Sequence, residues 1–165
     1  MVRYASAVLC GLALSMGGVA LAQQPAPALP PTGMLKAGGL FLVNGDRAVF
    51  AMSADGRATL VAAGPAPSLA DQKGPTDGLN PGQVSFALTK GDSGNTLLVV
   101  SSRATAPLRY QARIVGVRDG KVLSAPTATC PVRPGTSSFE NWPQLLPAVV
   151  IVSFEPAAPD DTVCR

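Results

Sequence analysis

No histidine occurs anywhere in the 165 residues. That absence removes the Ser-His-Asp and Cys-His nucleophile arrangements, the usual zinc and iron ligand sets, and the commonest general base. Glutamate is almost missing too, at Glu140 and Glu155 alone. Paired carboxylates that cleave a glycoside must face one sugar ring at a set separation, and the acids left to try are Glu140, Glu155, Asp160 and Asp161. Asp160-Asp161 lies in a polar tail, where adjacent acids serve solubility. No Gly-rich loop carries the Gly-Lys-Ser/Thr of a phosphate site. Calcium needs only oxygen ligands, and GDSGN at 91–95 and the turns at Asp46 and Asp55 offer them. None has an EF-hand or Gly-Asp-repeat spacing, and Asp and Asn favour turns in any case. The expectation is therefore no cofactor, no metal and no catalytic residues.

Charge is scarce as well, at 14% of residues with a formal net charge of +3. A nucleic-acid binder shows a basic patch or stripe, and the Lys and Arg here are scattered, so no nucleic-acid partner is expected. Helical periodicity is lacking past the N-terminus. Only Gln144-Leu145-Leu146 and Ser68-Leu69-Ala70-Asp71 suit a helical turn.

The first residues, MVRYASAVLCGLALSMGGVALAQQ, read as a secretory signal. Arg3 supplies the basic n-region, an apolar stretch runs from about Ala5 to Leu21, and Ala20-Leu21-Ala22 sets up cleavage between Ala22 and Gln23. The rival is an uncleaved anchor. The stretch just reaches the roughly 18 to 20 residues that span a bilayer, but its glycines, alanines and serines make it weakly apolar. Cys10 follows Leu9 rather than the small residue a lipid-anchor signal needs. Residues 1–22 are thus read as signal peptide, 23–38 (with QQPAPALPPTG at its start) as a Pro-rich extended linker, and 39–165 as the folded domain. No second apolar span follows, so the mature chain is expected to cross no membrane and to lie in the periplasm or outside the cell. Without the signal, twelve basic and ten acidic residues leave a formal charge of +2.

Of three cysteines, Cys130 and Cys164 would remain after cleavage. Two cysteines in an exported chain, without a CxxC spacing, are most simply one disulfide. Closing a loop of about 35 residues contributes roughly 3 to 4 kcal/mol on the chain-entropy estimate.

From Gly39 onward, short apolar runs alternate with turn residues. Leu40–Val43, Arg47–Met52 and Ala58–Ala63, joined at Asn44-Gly45-Asp46 and Ser53-Ala54-Asp55-Gly56, read as a three-stranded meander. Residues 64–82 form a long Pro- and Gly-rich loop, taken as a crossover between sheets and the first place to look for a binding surface. QVSFALTK at 83–90 alternates as a half-buried strand with one wet face, and LLVV at 97–100 suits a central strand. LRYQARIVGV at 108–117, Val122–Thr129 and Ala148–Glu155 complete seven or eight strands. The fold class is all-β, a single immunoglobulin-like β-sandwich.

Three arginines suggest a binding face. Arg109 and Arg113 share the outward side of one strand and Arg103 ends its neighbour, together a modest anion-binding surface for a glycan, lipid headgroup or acidic partner. The competing reading is that arginines on a wet face keep it soluble and discourage edge pairing. TATCPVRPGTSSFENWP at 127–143 gathers Cys130, Glu140 and Trp142. It reads as a fastening: Cys130 tied to Cys164, Trp142 closing one end of the core with its N–H partnered, and Glu140 capping or pairing locally, with Arg133 as a candidate partner. A sugar-stacking role for Trp142 is the alternative.

GNTLLVVSSRATAPLRYQARI (94–114) and TCPVRPGTSSFENWPQLLPAVVIVSFE (129–155) resemble a group of small exported bacterial proteins of unknown function. These have an immunoglobulin-like sandwich, a late cysteine before a Pro-Gly loop, a Trp-Pro pair and a cysteine near the C-terminus. The resemblance implies fold and location and brings no activity. The function expected is that of a non-enzymatic exported domain that binds a protein or glycan in the envelope. The alternatives are an accessory or inhibitor subunit of another exported protein and, more remotely, a carboxylate-based glycan-acting enzyme.

Overall fold

The computed structural model describes residues 27–165 except 37, 54–56 and 69–72. The signal peptide with its cleavage point, Cys10, the first residues of the linker, Asp55 and most of the Ser68–Asp71 turn lie outside the described residues. Among those described there is no helix, and hence none long and apolar enough to cross a membrane. Gln144-Leu145-Leu146 is a bend rather than a helical turn.

Among the described residues ten strands form two antiparallel sheets: β1 (Gly33–Met34), β2 (Leu40–Val43), β3 (Asp46–Met52), β4 (Ala58–Pro65), β5 (Gln83–Lys90), β6 (Thr96–Ser102), β7 (Leu108–Arg118), β8 (Lys121–Thr127), β9 (Thr136–Trp142) and β10 (Ala148–Pro156). The first sheet runs β1-β2-β10-β7-β8 and the second β4-β3-β5-β6-β9. The protein is a single all-β sandwich. The strands beyond the seven or eight read from sequence are β1, inside the stretch taken as linker, and β9, inside TATCPVRPGTSSFENWP.

Alternation builds the core. Leu40 and Leu42 of β2, Phe50 of β3, Phe86 of β5, Tyr110 of β7 and Ile151 of β10 are all buried between the sheets. Phe86 gathers the aromatic rings, with Phe50, Tyr110 and Phe154 at centroid distances of 6.1, 5.3 and 5.5 Å, each edge-on. That geometry lets one ring's positive rim meet another's negative face.

The meander read at the start of the domain forms only in its second half: β3 pairs with β4, but β2 and β3 belong to different sheets. The donors of the Asn44-Gly45 turn explain why. Asn44 N–H bonds Pro147 O at 2.9 Å, beside β10 of the first sheet, while Gly45 N–H bonds Leu88 O at 2.7 Å in β5 of the second. One amide is satisfied by each sheet, so the turn becomes a corner between layers rather than a hairpin. Gly45, at φ 95°, suits that geometry.

The 64–82 loop is likewise not a crossover between sheets. β4 extends to Pro65, and both β4 and β5 pair with β3, so residues 66–82 return within the second sheet. Residues 75–79 lie over its outer face. Leu79 is buried, Ser137 Oγ donates to Pro75 O at 2.7 Å, and Arg103 Nη1 to Leu79 O at 2.7 Å. Beneath this cover Ser85 and Ala87 are 3% and 4% exposed. The wet face expected for QVSFALTK is therefore covered, because the loop supplies a third layer there.

The outer face of the first sheet is also partly covered. Leu29 and Leu35, from the stretch read as linker, pack on Phe41, Val115 and Ala148. Thr32 anchors the same segment: its Oγ1 donates to Asp46 Oδ2 at 2.6 Å and accepts from Val43 N–H at 2.9 Å.

Candidate functional site

β7 and β8 meet at a two-residue turn, Asp119-Gly120, with φ of 51° and 69°, the positive pair of a type I′ hairpin. The closing pair Arg118–Lys121 exchanges both backbone bonds, and alternate pairs follow. By that count Pro126, opposite Arg113, occupies a position whose N–H would have faced the open edge. Proline is tolerated on an edge for this reason. Arg113 attends to the same edge. Its Nε donates to Ser124 Oγ at 2.8 Å and its Nη2 to Ser124 O at 3.1 Å.

At the other end of β7 the C-terminal tail crosses the sheet. Cys130 and Cys164 are bonded, with Cα atoms 4.1 Å apart. Thr129 and Arg165 exchange backbone bonds at 2.7 and 3.0 Å. So held, the tail delivers Asp161 to Arg109. The guanidinium donates through Nε and Nη2 to Asp161 Oδ2, and through Nη2 to Val163 O at 3.1 Å. The hydrogen bond from Arg109 holds the Asp161 carboxyl below the usual carboxylate range, aided by the Val163 N–H and the charges of Arg109 and Arg165, against the opposing effect of burial.

Arg109 and Arg113 stand on one face, as their spacing of four in an extended strand requires. Together they line a groove of about 400 Å³ on the outer face of the first sheet. Gln111 lies between them, Thr127 and Arg165, which pairs with Thr129, on one side, and Val152 and Glu155 of β10 on the other. A bulge shapes it: Ile151 pairs with Ala112 and Ser153 with Gln111, leaving Val152 as the extra residue. Bulges commonly re-aim a side chain beside a site.

Arg103 does not join this face. β6 and β7 lie in opposite sheets, and Arg103 braces the 66–82 loop through Leu79 instead. Arg109 differs from the free cation expected, being 9% exposed and already paired. Asp161, read as a solubility residue, is that partner.

Trp142 packs against the main core, and its Nε1–H donates to Thr127 Oγ1 at 3.1 Å, tying β9 to β8. Glu140 does not pair with Arg133. Its Oε1 accepts from Cys130 N–H at 2.7 Å and from the Tyr110 hydroxyl at 3.2 Å. Burial first, then the Glu140 charge, pushes the Tyr110 hydroxyl well above its ordinary pKa. Glu140 thus faces the interior from β9, while Glu155 lies opposite Arg109 on the outer face of β10. Those two carboxylates serve different surfaces. Asp46 accepts from Thr32, and in the 91–95 turn Asn95 Nδ2 donates to Asn141 Oδ1 at 2.6 Å. Among the described residues no group of three or more Cys, Asp or Glu is placed to hold a metal ion.

The groove was half legible. RYQAR alternation puts Arg109, Gln111 and Arg113 together. The roles of Asp161, Arg165 and Val152 were not legible, because they depend on where a tail and a bulge fall. Compared with protein-family models, curated proteins and solved structures, the chain has no match.

Proposed function

We propose that the chain is a non-enzymatic, exported binding domain of the periplasm or cell exterior, with the arginine-lined face of β7 as its working surface. The observation that carries this reading is the Cys130–Cys164 bond. Disulfides persist in oxidising compartments, and this one fastens the tail that completes the groove. The signal-like first residues agree with it. Two of the four acids weighed for catalysis are engaged in fastening, Glu140 on Cys130 and Tyr110 and Asp161 on Arg109, which favours binding over acid–base chemistry.

The test is expression of the full chain in a Gram-negative host, followed by fractionation. The periplasmic product should begin at Gln23 by intact mass and show no free thiol on denaturing alkylation. Full-length protein in the cytoplasm with every cysteine alkylated would overturn the reading.

A second reading, an accessory subunit of another exported protein, draws on one surface. Around the β7–β8 tip Val122 and Leu123 are half exposed, and Leu145 borders the same groove of about 490 Å³. Changing Leu123 and Leu145 to Ser should abolish any stoichiometric complex that depends on this tip.

A further inference from the structure

Each of the two groove arginines spends its Nε and Nη2 on the protein, and neither Nη1 has a partner among the described residues. Four residues of extended strand, at about 3.3 Å each, set the two Cα atoms roughly 13 Å apart. Asp161 already occupies Arg109 as a ligand's carboxylate would, which leaves Arg113 with a free end, and Arg165 and Glu155 as the other charged residues of the lining. Between the arginines the groove offers the neutral hydrogen-bonding side chain of Gln111 and an apolar floor at Val152, while Thr127, paired with core-facing Ala112, turns its Oγ1 inward to Trp142. It has no stacking platform. Tyr110, its aromatic neighbour, turns its ring inward onto Phe86. A neutral sugar therefore lacks the ring face it would need, and recognition falls to charge and to hydroxyl partners.

We propose that this groove binds an anionic saccharide of the uronic-acid class. Its carboxylate would sit on the free end of Arg113, and its hydroxyls on Gln111, Glu155 and Arg109 Nη1. An extended acidic peptide fits less well. The groove lies on a sheet face, where no unpaired backbone row runs beside it to take up peptide bonds. The adjacent edge of β8 is blocked by Pro126 and by the Arg113 bonds to Ser124. The volume lies within the range of small-ligand sites. Guanidinium is the side chain best matched to a planar carboxylate.

This inference rests on the reading of the chain as a binding domain, and its test separates the two. Amide and arginine side-chain NMR signals of the oxidised protein are followed during titration with digalacturonate, with neutral cellobiose and a tri-glutamate peptide as comparisons. Digalacturonate should shift the signals of Arg109, Gln111, Arg113 and Glu155, weaken with added salt, and lose about tenfold or more in affinity in Arg113→Gln. Gln111→Ala, at an exposed position, should weaken binding while leaving the fold intact. No localised shift with digalacturonate, equal response to cellobiose, tighter binding of tri-glutamate, or unchanged affinity in both variants would overturn the proposal. An exported, disulfide-bonded protein that ignores digalacturonate removes only the ligand assignment. One that binds it yet stays in the cytoplasm removes only the export reading.

Discussion

Replacing Cys130 and Cys164 with alanine cuts a link across 34 positions that enclose β9 and β10. In the chain-entropy model a loop of that size lowers unfolded-state entropy by about 12 to 13 cal/mol/K, or about 4 kcal/mol at room temperature. The native state has little to offset that loss. The tail beyond Pro156 is otherwise held by the Ala157–Pro107 and Thr129–Arg165 backbone bonds and the Arg109 contacts, all partly open to water. Against a typical total of about 5 to 15 kcal/mol, the double variant should be folded but marginal. With a urea m-value near 2 kcal/mol/M, the midpoint should fall by about 2 M. Circular dichroism against urea measures this. Hydrogen exchange at Thr129 and Arg165 should rise in the same variant, because their reciprocal bonds depend on Cys164 being held beside Cys130. A midpoint within about 0.5 M of the parent's, with Thr129 still protected, would refute the fastening argument.

Tyr110→Phe removes the buried hydroxyl that donates to Glu140 and should cost about 1.5 to 3 kcal/mol, read from the same urea curves; a neutral result would mean that the Cys130 N–H alone satisfies the carboxylate. Asp161 gives an acid dependence. Its folded-state pKa is the lower one, so its contribution is complete above about pH 5 and drains away as pH falls through the folded value. Asp161→Asn should therefore lose stability at neutral pH but show a flatter decline in acid, and parallel acid curves for the two proteins would sink the assignment. Gly39→Ala should lose about 2 to 3 kcal/mol, since at φ 86° a methyl would lie 2.5 Å from Ile151 O, beside the β10 bulge; unchanged thermal stability would contradict that contact.

Strand positions were legible wherever one face is wet or both are strongly apolar. LRYQARIVGV and AVVIVSFE announce β7 and β10 by alternation and β-branching. Partnership was not legible. Asn44-Gly45 has the residues of a hairpin, yet it turns between layers because its amides find acceptors in both sheets. SSF in β9 hides because Phe139, its largest apolar residue, faces solvent at 60% exposure while Glu140 points inward, the reverse of the usual pattern. Ser85 and Ala87 looked solvent-facing because nothing in QVSFALTK records that residues 75–79 fold back over it. The arginine face shows the same division. Local period placed Arg109 and Arg113 on one side, whereas the separation of Arg103 needed the sheet assignment of β6 and β7.

The tail and the groove are physically one arrangement. β10 is an inner strand of the first sheet, so the chain leaving it at Pro156 emerges beside β7 and must either hang free or recross the sheet. Cys164 decides for recrossing, and the crossing neutralises Arg109 with Asp161 while bringing Arg165 to the groove wall. Without the tail the face would present two exposed guanidinium groups and a bulged valine. That surface would be indifferent to which anion it met. With the tail one arginine is satisfied internally and the other keeps a free end, while Arg165 and Glu155 set further charges of opposite sign on the wall. A ligand must then match position as well as charge. Under the proposed binding role, the disulfide bears on specificity through the same contacts by which it bears on stability.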